Sequence, residues 1–419
     1  MNDSLAIHGG TPVRTTPFPQ KKYDYGDDDI AAVTAVLRKG NETGSISRGP
    51  EQALFEREFA DRHGAKYAIF VNSGTSAFHT IFGAINPDPG DEVICTPWTS
   101  GGSLAGALFQ GCVPVFADVD DSYCVDPVDV EAKITSRTRA IIAVHMFGNP
   151  CDMDAYVDMC KRHGIFLVED CSQAHFSEYQ GQIVGTMGDI AGYSFSGKHI
   201  SGGGGGAVVT NNRSLWDRAL PFTDQALNRP DGPLAERPAA HQFLAQNFKM
   251  NDLTAAVMRV QLGKIDGYLT NKIRNAQNII EGLSDVAELT PQKVRPGDRH
   301  TYWNLSFTIN TDRLGCNAYE FAEAVTAEGV PMLGPYIGTG REGPLYRNPV
   351  YTDALMFGAS RYPLDYGRER PVDYRLVNCP YGEDLMGRGI QLSMNATFTE
   401  NDLGDIIQGI RKVADHYRL

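Results

Sequence analysis

The chain has 419 residues, 42% of them hydrophobic and 21% charged, which is the balance of an ordinary soluble globular protein. At roughly 100–200 residues per domain, that length predicts two domains with ample material for a core. The net charge of −13, from 38 basic and 51 acidic side chains, argues against nucleic acid or an anionic membrane surface as the main partner, although a small anionic ligand stays possible.

The first seven residues carry no basic cluster and only a short apolar run, so no secretory leader is expected. From about 65 to 210, short apolar runs alternate with helical stretches. Residues 67–71 read as a strand, and 76–85 as a helix stopped by Asn86-Pro87. Strand-like runs follow at 92–95, 113–117, 140–144, 165–168, 190–193 and 207–210. Continuous apolar strands separated by helices predict an α/β fold with a mainly parallel sheet covered on both faces. Ligands of such sheets gather at the carboxyl ends of the strands. Residues 93–117 carry no charge, but glycine, serine, proline and Gln110 interrupt them. That suits buried strand, loop and helix and makes a poor membrane span.

Residues 211–250, with prolines at 221, 230, 233 and 238, read as irregular. A long helix is predicted over 251–283, a strand over 300–309 and a helix over 318–328. A stretch rich in Pro, Gly and Tyr covers 331–385. A strand at 390–394 and a helix from 400 to the end close the chain. A boundary at 265–285 divides it into a large domain, 1–270, and a smaller α+β domain, 271–419.

The eight cysteines are scattered, with no CxxC pair, so neither a zinc knuckle nor a redox motif is expected. Their positions in and beside apolar runs fit a packing role and a reducing cytoplasm.

Three local patterns carry chemistry. Ser73-Gly74-Thr75-Ser76 closes one strand and opens a helix, where free N–H groups and the helix dipole favour a phosphate. An ordinary N-capped turn has the same look. Val168-Glu169-Asp170 ends another strand, with Gln173 three residues on. A buried Asp170 needs a cationic or hydrogen-bonding partner, and a pyridinium N–H is one such partner. Gln173 could bond or buttress the same ring. Lys198 follows a third strand in Tyr193-Ser194-Phe195-Ser196-Gly197-Lys198-His199, ahead of five glycines at 202–206. A lysine whose charge is suppressed forms a Schiff base with an aldehyde, whereas a solvated loop lysine does not. Ser194 and Ser196 offer hydroxyls for phosphate. A lysine, an acid at a strand end and a small-residue helix start are the parts needed to hold pyridoxal 5′-phosphate. Two glycine patterns invite a nucleotide reading. Gly338-Thr339-Gly340-Arg341-Glu342-Gly343 runs into Pro344 with no helix after it, and the run at 202–207 precedes a strand. Both lack the strand-turn-helix context of a dinucleotide site.

Taken together, these blocks resemble the DegT/DnrJ/EryC1/StrS family of sugar and aminocyclitol aminotransferases. The likeness runs from the start Leu5-Ala6-Ile7-His8-Gly9-Gly10-Thr11-Pro12-Val13-Arg14 through "NSGTSAFHTIFGA", "PGDEVI", "GCVPVFADVD", "VEDCSQAH", "GGAVVTNN" and "QNFKMNDLTAAVMRVQLGKID" to "LSMNATFTENDLGDII". The opening block is most similar to the branch acting on ketocyclitols and aminohydroxybenzoate precursors.

The resemblance implies a fold-type-I transferase, whose large domain has a seven-stranded, mainly parallel sheet, and a homodimer with shared active sites. It implies that Lys198 is the Schiff-base lysine and that Asp170 faces the pyridine nitrogen. Gly74, Thr75, Ser76 and Ser194 would hold phosphate, Asn247 would reach the phosphate in the partner subunit's site, and Trp98 would stack on the ring. The expected activity moves an amino group from L-glutamate or L-glutamine to a ketosugar or ketocyclitol in secondary metabolism. The alternatives are elimination of water from a cyclic hydroxyketone, as in aminohydroxybenzoate synthesis, and a regulatory member without turnover. Tyr336 to Pro349, with Arg341 and Arg347, is the expected specificity region. Some positions depart from the family pattern. The spacings Pro97 to Gly111 and Ser194 to Lys198 are each one residue shorter, Gly204 stands where an acid is frequent, and Lys249 where an arginine is common.

Overall fold

In the computed structural model, residues 4–20, 22–46, 49–227, 241–335 and 343–419 are described. In chain order the elements are α1 (Asp27–Thr43), α2 (Pro50–His63), β1 (Tyr67–Val71), α3 (Gly74–Ile85), β2 (Glu92–Cys95), α4 (Gly102–Phe109), β3 (Val113–Phe116), α5 (Pro127–Ala132), β4 (Thr138–Val144), α6 (Met153–His163) and β5 (Phe166–Asp170). Then come β6 (Glu178–Tyr179), β7 (Gln182–Ile183), β8 (Ile190–Ser194), β9 (Gly206–Thr210), α7 (Arg213–Phe222) and α8 (Asp252–Gly282). The last are β10 (Leu289–Pro291), β11 (Asn304–Ile309), α9 (Ala318–Ala327), α10 (Pro349–Thr352), α11 (Pro380–Gly387), β12 (Gly389–Ser393) and α12 (Glu400–Tyr417).

Seven strands form the main sheet in the order β1-β9-β8-β5-β4-β2-β3. Strand β9 runs antiparallel to both β1 and β8, and the remaining pairs are parallel. This is the expected α/β class, with its carboxyl-end crevice between β1, β5 and β8. A smaller antiparallel sheet, β10-β11-β12, packs with α9 and α12. No helix among the described residues is long and apolar enough to cross a membrane.

Local chemistry explains the helix starts. Ser73 caps α3 by accepting the Ser76 N–H, Asn212 caps α7, and Asn251 caps α8. Helix α7 corrects the expectation of an irregular 211–250. Its proline, Pro221, sits in the last turn, and Asn212 caps the start of the helix, while residues 228–240 fall outside the described residues. The predicted strand over 300–309 begins only at Asn304, because Tyr302 has a positive φ of 48° and its N–H donates to His300 Nδ1 at 2.8 Å instead of to a neighbouring strand.

Two apolar cores meet along α8. Leu262, Ile265 and Leu269 belong to the first, and Ala276 and Ile279 to the second. Core membership differs from a division at residue 270 in two places. Leu5 and Phe18 pack into the second core, while Leu345, Tyr351, Tyr374 and Leu385 return to the first.

Candidate active site

Three chain segments converge at the crevice. Gly74 and Thr75, from the start of α3, line it together with Asp170, which ends β5, Gln173 beyond it, Ser194, which ends β8, and Lys198 beyond that. The recess holds about 90 Å³ and is also lined by Phe78, Thr99, Ser100, Gly102, Ser103 and Ser172. The α3 turn can approach the β8 loop only because residue 74 lacks a side chain. A Cβ there would lie 2.6 Å from the Ser194 Cβ. The glycine run has the same basis, since a Cβ on Gly206 would lie 2.4 Å from the Ser73 carbonyl oxygen. The first N–H groups of a helix have no partner within it, so this turn offers donors to an anion.

Strand alternation separates two adjacent acids. Asp170 faces the recess: its Oδ2 accepts from the Ser103 hydroxyl at 2.6 Å and its Oδ1 from the Ser172 N–H at 2.9 Å. Thr99 and Ser103 share a hydrogen bond of 2.9 Å, so a hydroxyl chain leads to the carboxylate. No lysine or arginine among the described residues forms an ion pair with this buried acid. Glu169 faces away and is fully buried. It accepts from the N–H groups of Gly185, Met187 and Gly188 and from His145 Nε2. Burial alone would raise the Glu169 pKa, but those hydrogen bonds, His145 foremost, bring it below the usual range.

His145, Glu169 and Cys171 lie within 4.8 Å of one another, which suggests a metal site. Their lone pairs are committed elsewhere. The Cys151 N–H donates to His145 Nδ1, which leaves the proton on Nε2 for Glu169. Burial pushes the Cys171 thiol well up, and Glu169 adds to it. The trio therefore reads as a latch on the loop at 185–188.

Lys198 is largely withdrawn from water. Burial brings its pKa down from 10.5 to about 8, opposed by the charge of Asp170. At neutral pH an appreciable fraction carries the lone pair that a carbonyl attack needs.

Other expected residues are placed differently. Ser76 is buried, with its Oγ donating to Asn72 Oδ1 at 2.5 Å and facing Ser73, so its hydroxyl is used inside the turn. Ser194 lines the recess while Ser196 is exposed, which separates those two. Gln173 accepts the Phe147 N–H through Oε1 at 2.9 Å, so its amide is already oriented. Trp98 does not line the recess. Its indole is buried against Asp118 and Gly382, because the chain between Pro97 and α4 is too short to turn it inward, and Thr99 and Ser100 occupy that wall. Asn247 is exposed, bridges Asp224, and lies outside its own chain's recess. Lys249 pairs with Asp224. Arg341 and residues 336–342 fall outside the described residues. Arg347 pairs with Glu383.

Sequence reasoning missed Ser103, Thr99, Ser172 and Trp303. The cluster Thr99-Ser100-Gly101-Gly102-Ser103 at a helix start was a usable signal, of the same kind as the 73–76 turn. Trp303 had none, since it arrives from the second sheet.

The family model of the DegT/DnrJ/EryC1/StrS aminotransferases matches residues 24–363. The chain belongs to that family. It is 33% identical over 430 residues to L-glutamine:2-deoxy-scyllo-inosose aminotransferase of Streptomyces kanamyceticus, covering 98% of this chain and 97% of that protein. It is 35% identical to GDP-perosamine synthase of Escherichia coli O157:H7 over 63% of this chain and 71% of that one. The structure of 3-amino-5-hydroxybenzoic acid synthase superposes with a TM-score of 0.81 at 25% identity, covering 96% of this chain and 100% of the other. The protein is a pyridoxal-phosphate-dependent aminotransferase with the fold-type-I architecture.

Proposed function

We propose that the protein transfers the amino group of L-glutamine or L-glutamate to the ketone of a cyclitol or sugar in aminocyclitol or aminosugar biosynthesis. The observation that carries this reading is the convergence of Lys198, with its lowered pKa, and the Asp170 carboxylate, which has no ion pair among the described residues, at the α3 helix start. The near full-length likeness to an L-glutamine:2-deoxy-scyllo-inosose aminotransferase supports the cyclitol side of it.

The residues fit pyridoxal phosphate. Lys198 would hold its aldehyde carbon and Asp170 its ring nitrogen. Gly74, Thr75 and Ser194 would hold its phosphate, and Asn247 would reach the phosphate in the partner subunit's site of a homodimer. When bound, the group supplies an electron sink for the bond-breaking at the amino-bearing carbon. The chain's residues do the rest. Asp170, held by Ser103 and Ser172, presents its carboxylate to the recess as an acceptor for a ring N–H. Lys198 moves a proton through its Nζ, and a pKa lowered to about 8 by burial suits both acid and base roles. A cytoplasmic location agrees with eight buried free cysteines.

The test has two halves. The full-length protein with pyridoxal phosphate is expected to absorb in the visible range, and borohydride should fix the group on Lys198 by peptide mass mapping. L-glutamine should then discharge the colour, and one of a panel of ketocyclitols, free ketosugars and nucleotide-linked ketosugars should restore it. A colourless protein with unmodified Lys198 ends the proposal. The likeness to 3-amino-5-hydroxybenzoic acid synthase favours one second reading, loss of water from a cyclic hydroxyketone. Product analysis separates an aminated product from a dehydrated one.

A further inference from the structure

Trp303 lies immediately before β11, and its backbone is pinned on both sides. Its N–H donates to the Phe147 carbonyl at 2.7 Å, and its carbonyl accepts the Met394 N–H at 3.2 Å. The side chain reaches across to the loop after β8. Nε1–H donates to the Gly197 carbonyl at 3.0 Å, and the ring centroid lies 3.8 Å from Lys198 Nζ. The next carbonyl, that of Lys198 itself, accepts the Tyr23 hydroxyl at 2.9 Å. His199 Nε2 donates to the Gln173 carbonyl at 3.1 Å.

These tethers matter because the loop is otherwise soft. Gly197, Gly203, Gly204 and Gly205 all have positive φ, and such a glycine-rich stretch has little stiffness of its own. With the carbonyls of 197 and 198 both held, the freedom left to Lys198 is in its side chain. An ammonium against an indole face is attracted by the ring quadrupole, and more strongly where water is excluded.

We propose that Trp303 is a positioning residue for Lys198: one side chain holds the loop through Gly197 and holds the free amine on its ring face, beside the Asp170 recess. The second sheet thereby acts directly on the reactive amine. The proposal rests on the reading of Lys198 as the cofactor-bonding lysine. Because the ring favours the charged amine, it acts against the burial that discharges it.

The test uses the full-length protein and the variants Trp303→Phe, which keeps a ring and loses Nε1–H, and Trp303→Leu, which loses both. Thermal melts establish that each is folded. The rate at which pyridoxal phosphate forms its borohydride-trappable bond to Lys198 is followed against pH to give an apparent pKa of the amine. The phenylalanine variant should stay near the parent value, and the leucine variant should fall by about half a pH unit or more. An unchanged value, or a rise in the leucine variant, means that the ring only excludes water, and overturns the proposal. A second readout does not depend on those variants. The emission of Trp303, one of three tryptophans, should titrate with the amine in the parent and not in Lys198→Met. No such titration in the parent counts against the proposal. A parent protein that forms no bond at Lys198 overturns the role of Lys198 itself, which is a distinguishable failure.

Discussion

The Ser103 hydroxyl stands 2.6 Å from the Asp170 carboxylate and ties the start of α4 to the end of β5. This bond orients the acid without neutralising it. Ser103→Ala should leave the fold intact and lower kcat/KM by about 10- to 150-fold, as expected for a lost hydrogen bond to a charged group. Steady-state kinetics with saturating cofactor checks this, and an unchanged kcat/KM would remove Ser103 from the site.

Asp170→Asn keeps the shape of the side chain and removes the charge. A neutral amide cannot hold a pyridinium proton, so turnover should fall by at least about 100-fold. The variant should still form the covalent bond at Lys198. Single-turnover absorbance measurements distinguish lost chemistry from lost binding.

Gly74→Ala brings a Cβ to 2.6 Å from the Ser194 Cβ and 2.9 Å from its Oγ. Overpacking of this kind costs about 1–3 kcal/mol and should also weaken cofactor retention. Adding Ser194→Gly to the same chain removes the main clash. Partial recovery of stability in urea melts is expected, and strict additivity would contradict this contact.

Lys272 is a buried residue of α8. Burial lowers its pKa to about 7, with the charge of Lys22 adding. The unfolded lysine keeps its proton to about pH 10.4, so between these values the unfolded state binds more protons and stability rises with pH. The penalty is fully present below pH 7. Lys272→Met should stabilise the protein near pH 6 by about 2–5 kcal/mol, with the gain fading near pH 10. Urea melts at both pH values check it, and a gain that grows with pH would contradict it.

Much of the fold was legible because buried parallel strands are continuous apolar runs. Residues 67–71, 140–144 and 190–193 needed no partner information to be recognised. Helices α1 and α2 were not read. Helix α1 buries only Asp29 and Val36 among its residues and leaves Ile30 and Leu37 exposed, which erases the usual amphipathic stripe. Helix α7 was obscured by Pro221, which lies inside it next to its last residue. In the site, Lys198, Asp170 and Gly74 were readable because each stands where a strand ends. Trp98 was misdirected, since an aromatic in the right segment says nothing of which way a short loop turns it.

The sequence by itself showed the apolar strand runs and put Asp170 and Lys198 at or just after the ends of two of them, because these features depend on neighbours a few residues away. Only the tertiary structure decided that Asp170 faces the recess while Glu169 latches a loop, that Ser103 orients the acid, and that Trp303 meets Lys198. The Ser103–Asp170 and Trp303–Lys198 contacts join residues 67 and 105 positions apart. Such pairings are set by how sheets twist and cores pack, and local periodicity does not encode them.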